Sequence, residues 1–359
     1  MFFLLPFGSF FVFLMIFGTV ISICSFHWLF IWVGFEINLM GFIPLLMYSG
    51  LNFRAECGVK YFLVQALGSV MFVVGSVLVF SSMSSWDLSP FLEKINNSGV
   101  LGNFGIYFFC FSLLLKLGCF PFYFWVPSVV MGGSWFSCFL LLTWQKISPF
   151  FVLIMSGSLF FSDVFWVVLI SAIGSSIFGG LGGIGESFIR PLMAYSSISH
   201  SGWMLLSCVH GLGIFMIYFM IYFFISCCIF MLLSLVGDMS MSFSNSEMGE
   251  KKLIEWGIIG VLLSLAGVPP FLGFLGKWII VSVSMGKMMV VTISFLIFGS
   301  LLSVYYYFLL FFGFFFAKFS FLSISNSLVT NNYTGLVVYV VLGVSLVLNL
   351  FGSMICMLI

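Results

Sequence analysis

Four ionisable residues stand inside otherwise apolar runs of the 359-residue chain: Glu36 in WVGFEINLMGF, Lys116 in FSLLLKLGCFPF, Lys146 in LLLTWQKISPF and Lys277 in GFLGKWIIV. A charge at the centre of a membrane helix costs roughly 2.5–3.5 kcal/mol on insertion scales, and four of them cost on the order of ten kcal/mol together. A purely structural bundle has no reason to bear that. Long side chains near a helix end can snorkel to the interface, but Lys116 and Lys146 each lie about a dozen residues into their runs, where this relief is weak. Burial disfavours the charge on a lysine, and a nearby carboxylate restores it. A lysine whose counter-charge can approach or withdraw is therefore a switchable proton site. Joined by water, a row of such lysines makes a proton relay at the membrane midplane. The expected division of labour is that Glu36 tunes Lys116, while Lys146 and Lys277 carry the proton onward. His200, in YSSISHSGWM, has two open readings: a bridge between Lys146 and Lys277, or a hydrogen-bonded histidine that packs helices.

Those residues need a scaffold, and composition says which kind. Apolar residues make up 63% of the chain, charged residues only 6%, and phenylalanine alone occurs 51 times. Soluble domains carry about 25% charge, and disorder needs low hydrophobicity with high charge, so both classes are excluded. The net charge of +1 gives no sign of a nucleic-acid partner or a polybasic membrane-surface role. The fold class expected is an all-α polytopic membrane protein.

A window of about 19 residues gives about eleven transmembrane helices, near 2–24, 28–48, 58–80, 104–126, 134–155, 164–182, 192–210, 213–236, 254–283, 288–316 and 335–357. The runs are far longer than the roughly ten residues of a barrel strand and do not alternate. Opening on MFFLLPFGSFF, with no basic lead, the chain reads as starting with a span rather than a signal or transit peptide. Loops on the N-terminal side carry Arg54, Lys60, Arg190, Lys251, Lys252 and Lys318, against Lys94 and Lys287 opposite. By the positive-inside rule, the N-terminus faces the cytoplasm or the mitochondrial matrix, and an odd span count puts the C-terminus on the other side.

Two spans are expected to break at interior prolines: the fourth at Pro121 and Pro127, the ninth at Pro269 and Pro270. Proline removes a backbone donor and clashes with the preceding turn. The breaks lie five helices apart, and a repeat with an odd number of spans must place its second copy upside down, as in secondary transporters. Incidental kinks are the plainer alternative. Lys116 sits beside one break and Lys277 beside the other, where irregular backbone can admit water.

Other motifs point to packing. The nine cysteines include no CxxC pair, so neither a disulfide framework nor a metal site is expected. Gly180, Gly182 and Gly185 match GxGxxG but lack the strand that a dinucleotide site requires; they are expected to let helices approach or to form the turn before span seven. His27 and His210, near span ends, are expected at the interface. Asn96–Ser98 and Asn332–Thr334 fit the glycosylation sequon, which matters only in extracellular loops. The tract YYYFLLFFGFFF from Tyr305 reads as lipid-facing bulk and not as a cofactor box.

The charged runs also carry a resemblance. HWLFIWVGFEINLMGFIPLL, KYFLVQALGS, KLGCFPFYFWVPSVV, LLLTWQKISPF, RPLMAYSSISHSGWM and LAGVPPFLGFLGKWII resemble the NADH dehydrogenase subunit 2 family, the proton-pumping, antiporter-like membrane subunits of respiratory complex I. Together they cover about a third of the chain in the family's order; the loops 81–103 and 237–253 and everything after about 285 match only in hydropathy. The resemblance implies two inverted five-helix repeats, each with one broken helix, and a last helix. On this chain that divides residues 1–156, 157–317 and a C-terminal loop and helix at 318–359. It looks like the animal mitochondrial form, which lacks the first three helices of bacterial relatives. The family's key glutamate falls on Glu36 and its three buried lysines on Lys116, Lys146 and Lys277. Tyr123 stands where the family usually has histidine, and Ser128 where it usually has glutamate, so roles given to those two groups do not carry over. The implied setting is the mitochondrial inner membrane, with no flavin, iron–sulfur cluster or nicotinamide in this chain. The implied partners are neighbouring antiporter-like and small membrane subunits. A subunit of a related cation/proton antiporter is the alternative.

Overall fold

In lipid a spanning segment must satisfy its own backbone, which leaves a chain this apolar the choice of helices or a closed barrel. The computed structural model describes residues 6–47, 52–83, 86, 100–156, 164–236, 250–269, 271–286, 289–316 and 343. Among them the elements are helices: α1 (Pro6–Cys24), α2 (Trp28–Met47), α3 (Asn52–Met83), α4 (Val100–Leu117), α5 (Trp125–Gly132), α6 (Trp135–Leu142), α7 (Trp144–Met155), α8 (Val164–Ile184), α9 (Ile189–His210), α10 (Leu212–Val236), α11 (Glu250–Ala266), α12 (Leu272–Gly286) and α13 (Val290–Phe316). Seven stretches are long and apolar enough to cross a membrane, and shorter apolar helices cover Leu101–Leu117, Trp256–Ala266 and Leu272–Gly286. The short ones are pieces of the two spans expected to break. The eleventh span, Pro270, the loop lysines 94, 287 and 318, and both sequons lie outside the described residues.

The breaks fall between α4 and α5, at Pro121, and between α11 and α12, at Pro269, whereas Pro127 sits within the first turn of α5. A third interruption has no proline. At Thr143 the hydroxyl donates to the Phe139 carbonyl at 2.6 Å, and φ of −118° separates α6 from α7, as expected of a residue whose side chain competes for its own backbone. Conversely, Pro44 and Pro149 sit inside unbroken α2 and α7. The third span expected is longer than its apolar stretch, because the polar turn from Asn52 continues as helix.

The chain divides into two units, residues 1–175 with 200–212 and residues 176–199 with 213–359. In the first, α1 lies along α2 and α3 along α4, while α7 packs on α1, α2 and α4. Small residues let these helices meet: a Cβ on Gly34 would come 2.8 Å from the Gly18 carbonyl. Trp28, Phe35, Phe72 and Phe109 interlock α2, α3 and α4, with Trp28–Phe109 edge-on at 4.9 Å and Phe35–Phe72 at 5.4 Å. In the second unit, α11 packs on α12 and α13. There, Gly180 of α8 lies 2.9 Å, by its missing Cβ, from the Gly299 carbonyl of α13, and Gly182 lies under the Tyr195 ring. Gly185, in the turn after α8, has open space around it. These glycines serve packing and a turn. Buried serines return their hydroxyls to the carbonyl three residues back, as Ser69, Ser76 and Ser112 do, so they add little polarity to the interior.

Candidate functional site

Each broken helix ends in the same way. At the close of α4, Gly118 adopts φ of +66°, its N–H donates to Leu115 (3.2 Å) and the Cys119 N–H to Leu114 (3.1 Å). At the close of α11, Gly267 adopts φ of +78°, its N–H donates to Ser264 (3.1 Å) and the Val268 N–H to Leu263 (3.4 Å). Both are Schellman caps, which need a left-handed residue and satisfy two of the four orphan carbonyls of a helix end. Side chains serve others. Gln65 Nε2 donates to the Lys116 carbonyl at 3.3 Å, and Lys277 Nζ donates to the Ala266 carbonyl at 2.7 Å.

Lys116 is 7% exposed, in the last turn of α4. Its stem lies over Gly68 of α3, where a Cβ would come 3.1 Å from its Cγ. Its Nζ sits 4.5 Å from the centroid of the Phe35 ring, and the carboxylate of the next residue, Glu36, acts on it electrostatically. One turn of α2 thus presents both an aromatic face and an anion to this ammonium.

Lys146 is 4% exposed, in the first turn after the Thr143 break. Cys119, fully buried just after the Gly118 cap, lies close to Lys146 and to Ser201. The first break therefore lies between Lys116 and Lys146. Gln145 Nε2, beside Lys146, donates to Asn38 Oδ1 at 3.0 Å, which ties the helix bearing Glu36 to the helix bearing Lys146. His200 is buried on α9 in this same unit. Lys277, 8% exposed, belongs to the second unit. A Cβ on Gly267 would come 2.8 Å from its Nζ, so the glycine that forms the cap also makes room for the ammonium.

Several participants were not picked out from the sequence. Asn38 and Gln145 lay in plain view within the FEIN and TWQK runs, but a hydrogen bond across 107 positions leaves no local signal. Gln65 and Cys119 are similarly tertiary. The tyrosine tract needs correction: Tyr305 is 54% exposed, but Tyr306 and Tyr307 are each 1% exposed. Successive residues on a helix point about 100° apart, so one tract supplies both a lipid face and a core face. Of the two departures from the family pattern, Ser128 donates its hydroxyl to the Trp125 carbonyl at 2.8 Å and Tyr123 stacks on Phe124 at 4.1 Å.

Residues 25–303, which include all five candidate residues, match the family described as NADH:quinone oxidoreductase/Mrp antiporter, TM. NADH-ubiquinone oxidoreductase chain 2 of Anopheles gambiae is 36% identical over 306 residues, 84% of this chain and 83% of that protein. The chain belongs to the NADH-ubiquinone oxidoreductase chain 2 family. Its relative from Vulpes vulpes is 35% identical over 291 residues, 81% of this chain and 80% of that one. Among solved structures, respiratory complex I from Thermus thermophilus with bound Aureothin contains a chain of the same fold, with TM-score 0.78 and 22% identity over 96% of this chain and 77% of that chain. The Mrp complex from Dietzia sp. contains another, with TM-score 0.76 and 17% identity over 84% and 59%. The fold is antiporter-like and membrane-spanning, and the family is that of a membrane subunit of complex I.

The Asn38–Gln145 bond has a measurable consequence. A neutral hydrogen bond contributes about 0.5–1.5 kcal/mol, so Asn38→Leu or Gln145→Leu should each lower the stability of the detergent-extracted protein by about that amount. The double variant should be no worse than the worse single one. Fully additive losses, measured by thermal unfolding of the detergent-extracted protein, would mean that the two side chains act independently.

Proposed function

We propose that this chain is a proton-translocating core subunit of respiratory complex I in the mitochondrial inner membrane. In this reading NADH:ubiquinone electron transfer occurs elsewhere in the complex and drives proton movement through Glu36, Lys116, Lys146 and Lys277, with His200 as the bridge between the last two. The observation that carries it is that the lysines are buried at helix interruptions: Lys116 before one cap, Lys146 after the Thr143 break, Lys277 donating to the carbonyl at the other cap. A lysine holding a backbone carbonyl as its partner can release it when it gives up its proton, so proton loss and local backbone rearrangement become one event. Cys119, Gln145 and Ser201 extend the polar path around Lys146.

The repeat architecture belongs to the same reading. Gly118 and Gly267 are separated by the same interval as Pro121 and Pro270, and both caps continue into a matching turn, Phe122 N–H to Cys119 at 2.7 Å and Phe271 N–H to Val268 at 2.9 Å. That correspondence supports two inverted five-helix repeats, 1–156 and 157–317, with a final helix in 318–359 and about eleven spans in all. The N-terminus would face the matrix and the C-terminus the intermembrane space. The chain would carry no redox cofactor and would pack laterally against other antiporter-like and small core membrane subunits. A subunit of a cation/proton antiporter is the second reading, favoured by the fold shared with the Mrp complex chain. Mild extraction of the membrane decides between them. Co-migration with NADH–quinone reductase activity is expected; sodium/proton exchange without that activity would favour the antiporter.

A further inference from the structure

Span four is cut in two, and its neighbour α3 is not. Along one face of α3 stand Tyr61, Gln65, Gly68 and Phe72, at the three- and four-residue spacings that put side chains on one side of a helix. Tyr61 meets Trp125 of α5 with ring centroids 5.9 Å apart. Gly68 takes the stem of Lys116, and Phe72 meets Phe109 of α4 at 5.3 Å. The seam therefore bridges the break, with α5 at one end and α4 at the other, and α3 packs on both pieces. At the level of the break stands Gln65, 7% exposed, whose Nε2 donates to the Lys116 carbonyl at 3.3 Å.

The two breaks are capped by different means. The Schellman cap at Gly118 satisfies the carbonyls of Leu114 and Leu115. That leaves the Lys116 carbonyl among those still open, and an amide from the neighbouring helix supplies its donor. At the Gly267 cap, the donor to the open carbonyl of Ala266 is the ammonium of Lys277. A buried carbonyl without a donor costs free energy, so some group must fill this place at each break. Because Gln65 fills it at the first, the Lys116 ammonium is not engaged in capping. It lies instead over the Phe35 ring, 4.5 Å from the centroid, and Glu36 is the next residue of α2. Two residues of one turn of α3 hold it there. Gln65 fixes the backbone of the lysine, and Gly68 admits its stem, since a Cβ there would come 3.1 Å from its Cγ.

We propose that Gln65 is a positioning residue for proton transfer at Lys116: its amide takes over the capping of α4 and so holds the ammonium against the Phe35–Glu36 turn of α2. Gln65 itself neither gains nor loses a proton. One consequence separates the two lysines. Lys277 weakens its hold on the Ala266 carbonyl when it gives up its proton. Lys116 gives up its own with the cap intact, so proton transfer at the first break leaves the backbone in place. This rests on Lys116 being a proton carrier, as proposed above.

Variants of the assembled complex, reconstituted into vesicles, test it. Gln65→Met keeps the length of the side chain and removes the donor. It should assemble normally and translocate protons about tenfold more slowly, the effect of about 1.4 kcal/mol on the barrier. Gln65→His returns an N–H at the reach of Nε2 and should recover most of that loss. In a Glu36→Gln background, Gln65→Met should add little, because the ammonium then has no carboxylate to be held against. A methionine variant that pumps at the native rate overturns the proposal. So does a histidine variant as slow as the methionine one, because packing rather than the donor then matters. A methionine effect undiminished beside Glu36→Gln overturns it too. If either variant is missing from the membrane, Gln65 serves folding rather than the placing of Lys116, and the proposal falls. If Lys116→Ala itself pumps normally, the underlying relay falls instead.

Discussion

Lys277→Ala is expected to abolish proton translocation by the assembled complex while leaving the complex present in the membrane. Two losses coincide in that substitution. The ammonium is the protonatable group of α12, and it is also the donor to the Ala266 carbonyl at 2.7 Å, one of the orphan acceptors at the end of α11. A charge-assisted hydrogen bond contributes about 1.5–3 kcal/mol, so local stability falls together with function, and the alanine variant alone would not say which loss mattered. Lys277→Arg separates them. The guanidinium still donates to Ala266 but does not deprotonate in proteins. Arginine should therefore recover the stability of the detergent-extracted complex and still fail to pump when reconstituted into vesicles. An arginine variant pumping at the native rate would reduce Lys277 to a helix cap. An alanine variant pumping at the native rate would remove it from the mechanism.

This part of the site was legible in the sequence because charge is so scarce in it. Lys277 in GFLGKWIIV has nothing charged on either side, and the same contrast picks out Glu36, Lys116 and Lys146. Helix breaks at Pro121 and after Ala266 were legible because a missing donor acts wherever the helix sits. The break at Thr143 was not, since it depends on one hydroxyl choosing its own backbone, which threonine does in some settings and not in others. Gly118 and Gly267 were hidden differently. Among 37 glycines, sequence alone does not say which two take positive φ. The tyrosine tract was misread because hydropathy averages round a helix, while burial depends on phase; Tyr305 and Tyr306 are neighbours in sequence that face opposite surroundings. The Asn38–Gln145 and Gln65–Lys116 bonds depend on helices meeting at a particular height, which no single run encodes.

Lys116→Ala should likewise stop proton transfer, and its relation to Glu36 can be taken further. The ammonium lies over the Phe35 ring at 4.5 Å and in the field of Glu36. A desolvated cation–π contact contributes about 2 kcal/mol and is fixed in place, so it cannot by itself switch the lysine. The carboxylate can, because it loses its charge on protonation and its side chain can turn on χ angles that the packed ring of Phe35 lacks room to use. Glu36→Gln keeps the volume and removes the switchable charge. It should slow pumping about tenfold or more, corresponding to about 1.4 kcal/mol or more in the barrier, without changing the amount of assembled complex. If Glu36 works only by tuning Lys116, then Glu36→Gln adds nothing in the Lys116→Ala background, and the double-mutant cycle is strongly non-additive. Residual pumping in Lys116→Ala that disappears on adding Glu36→Gln would mean that the carboxylate passes protons by a route of its own. Glu36 is the less deeply buried of the two, so that outcome would move the point of transfer from the cap of α4 to the face of α2.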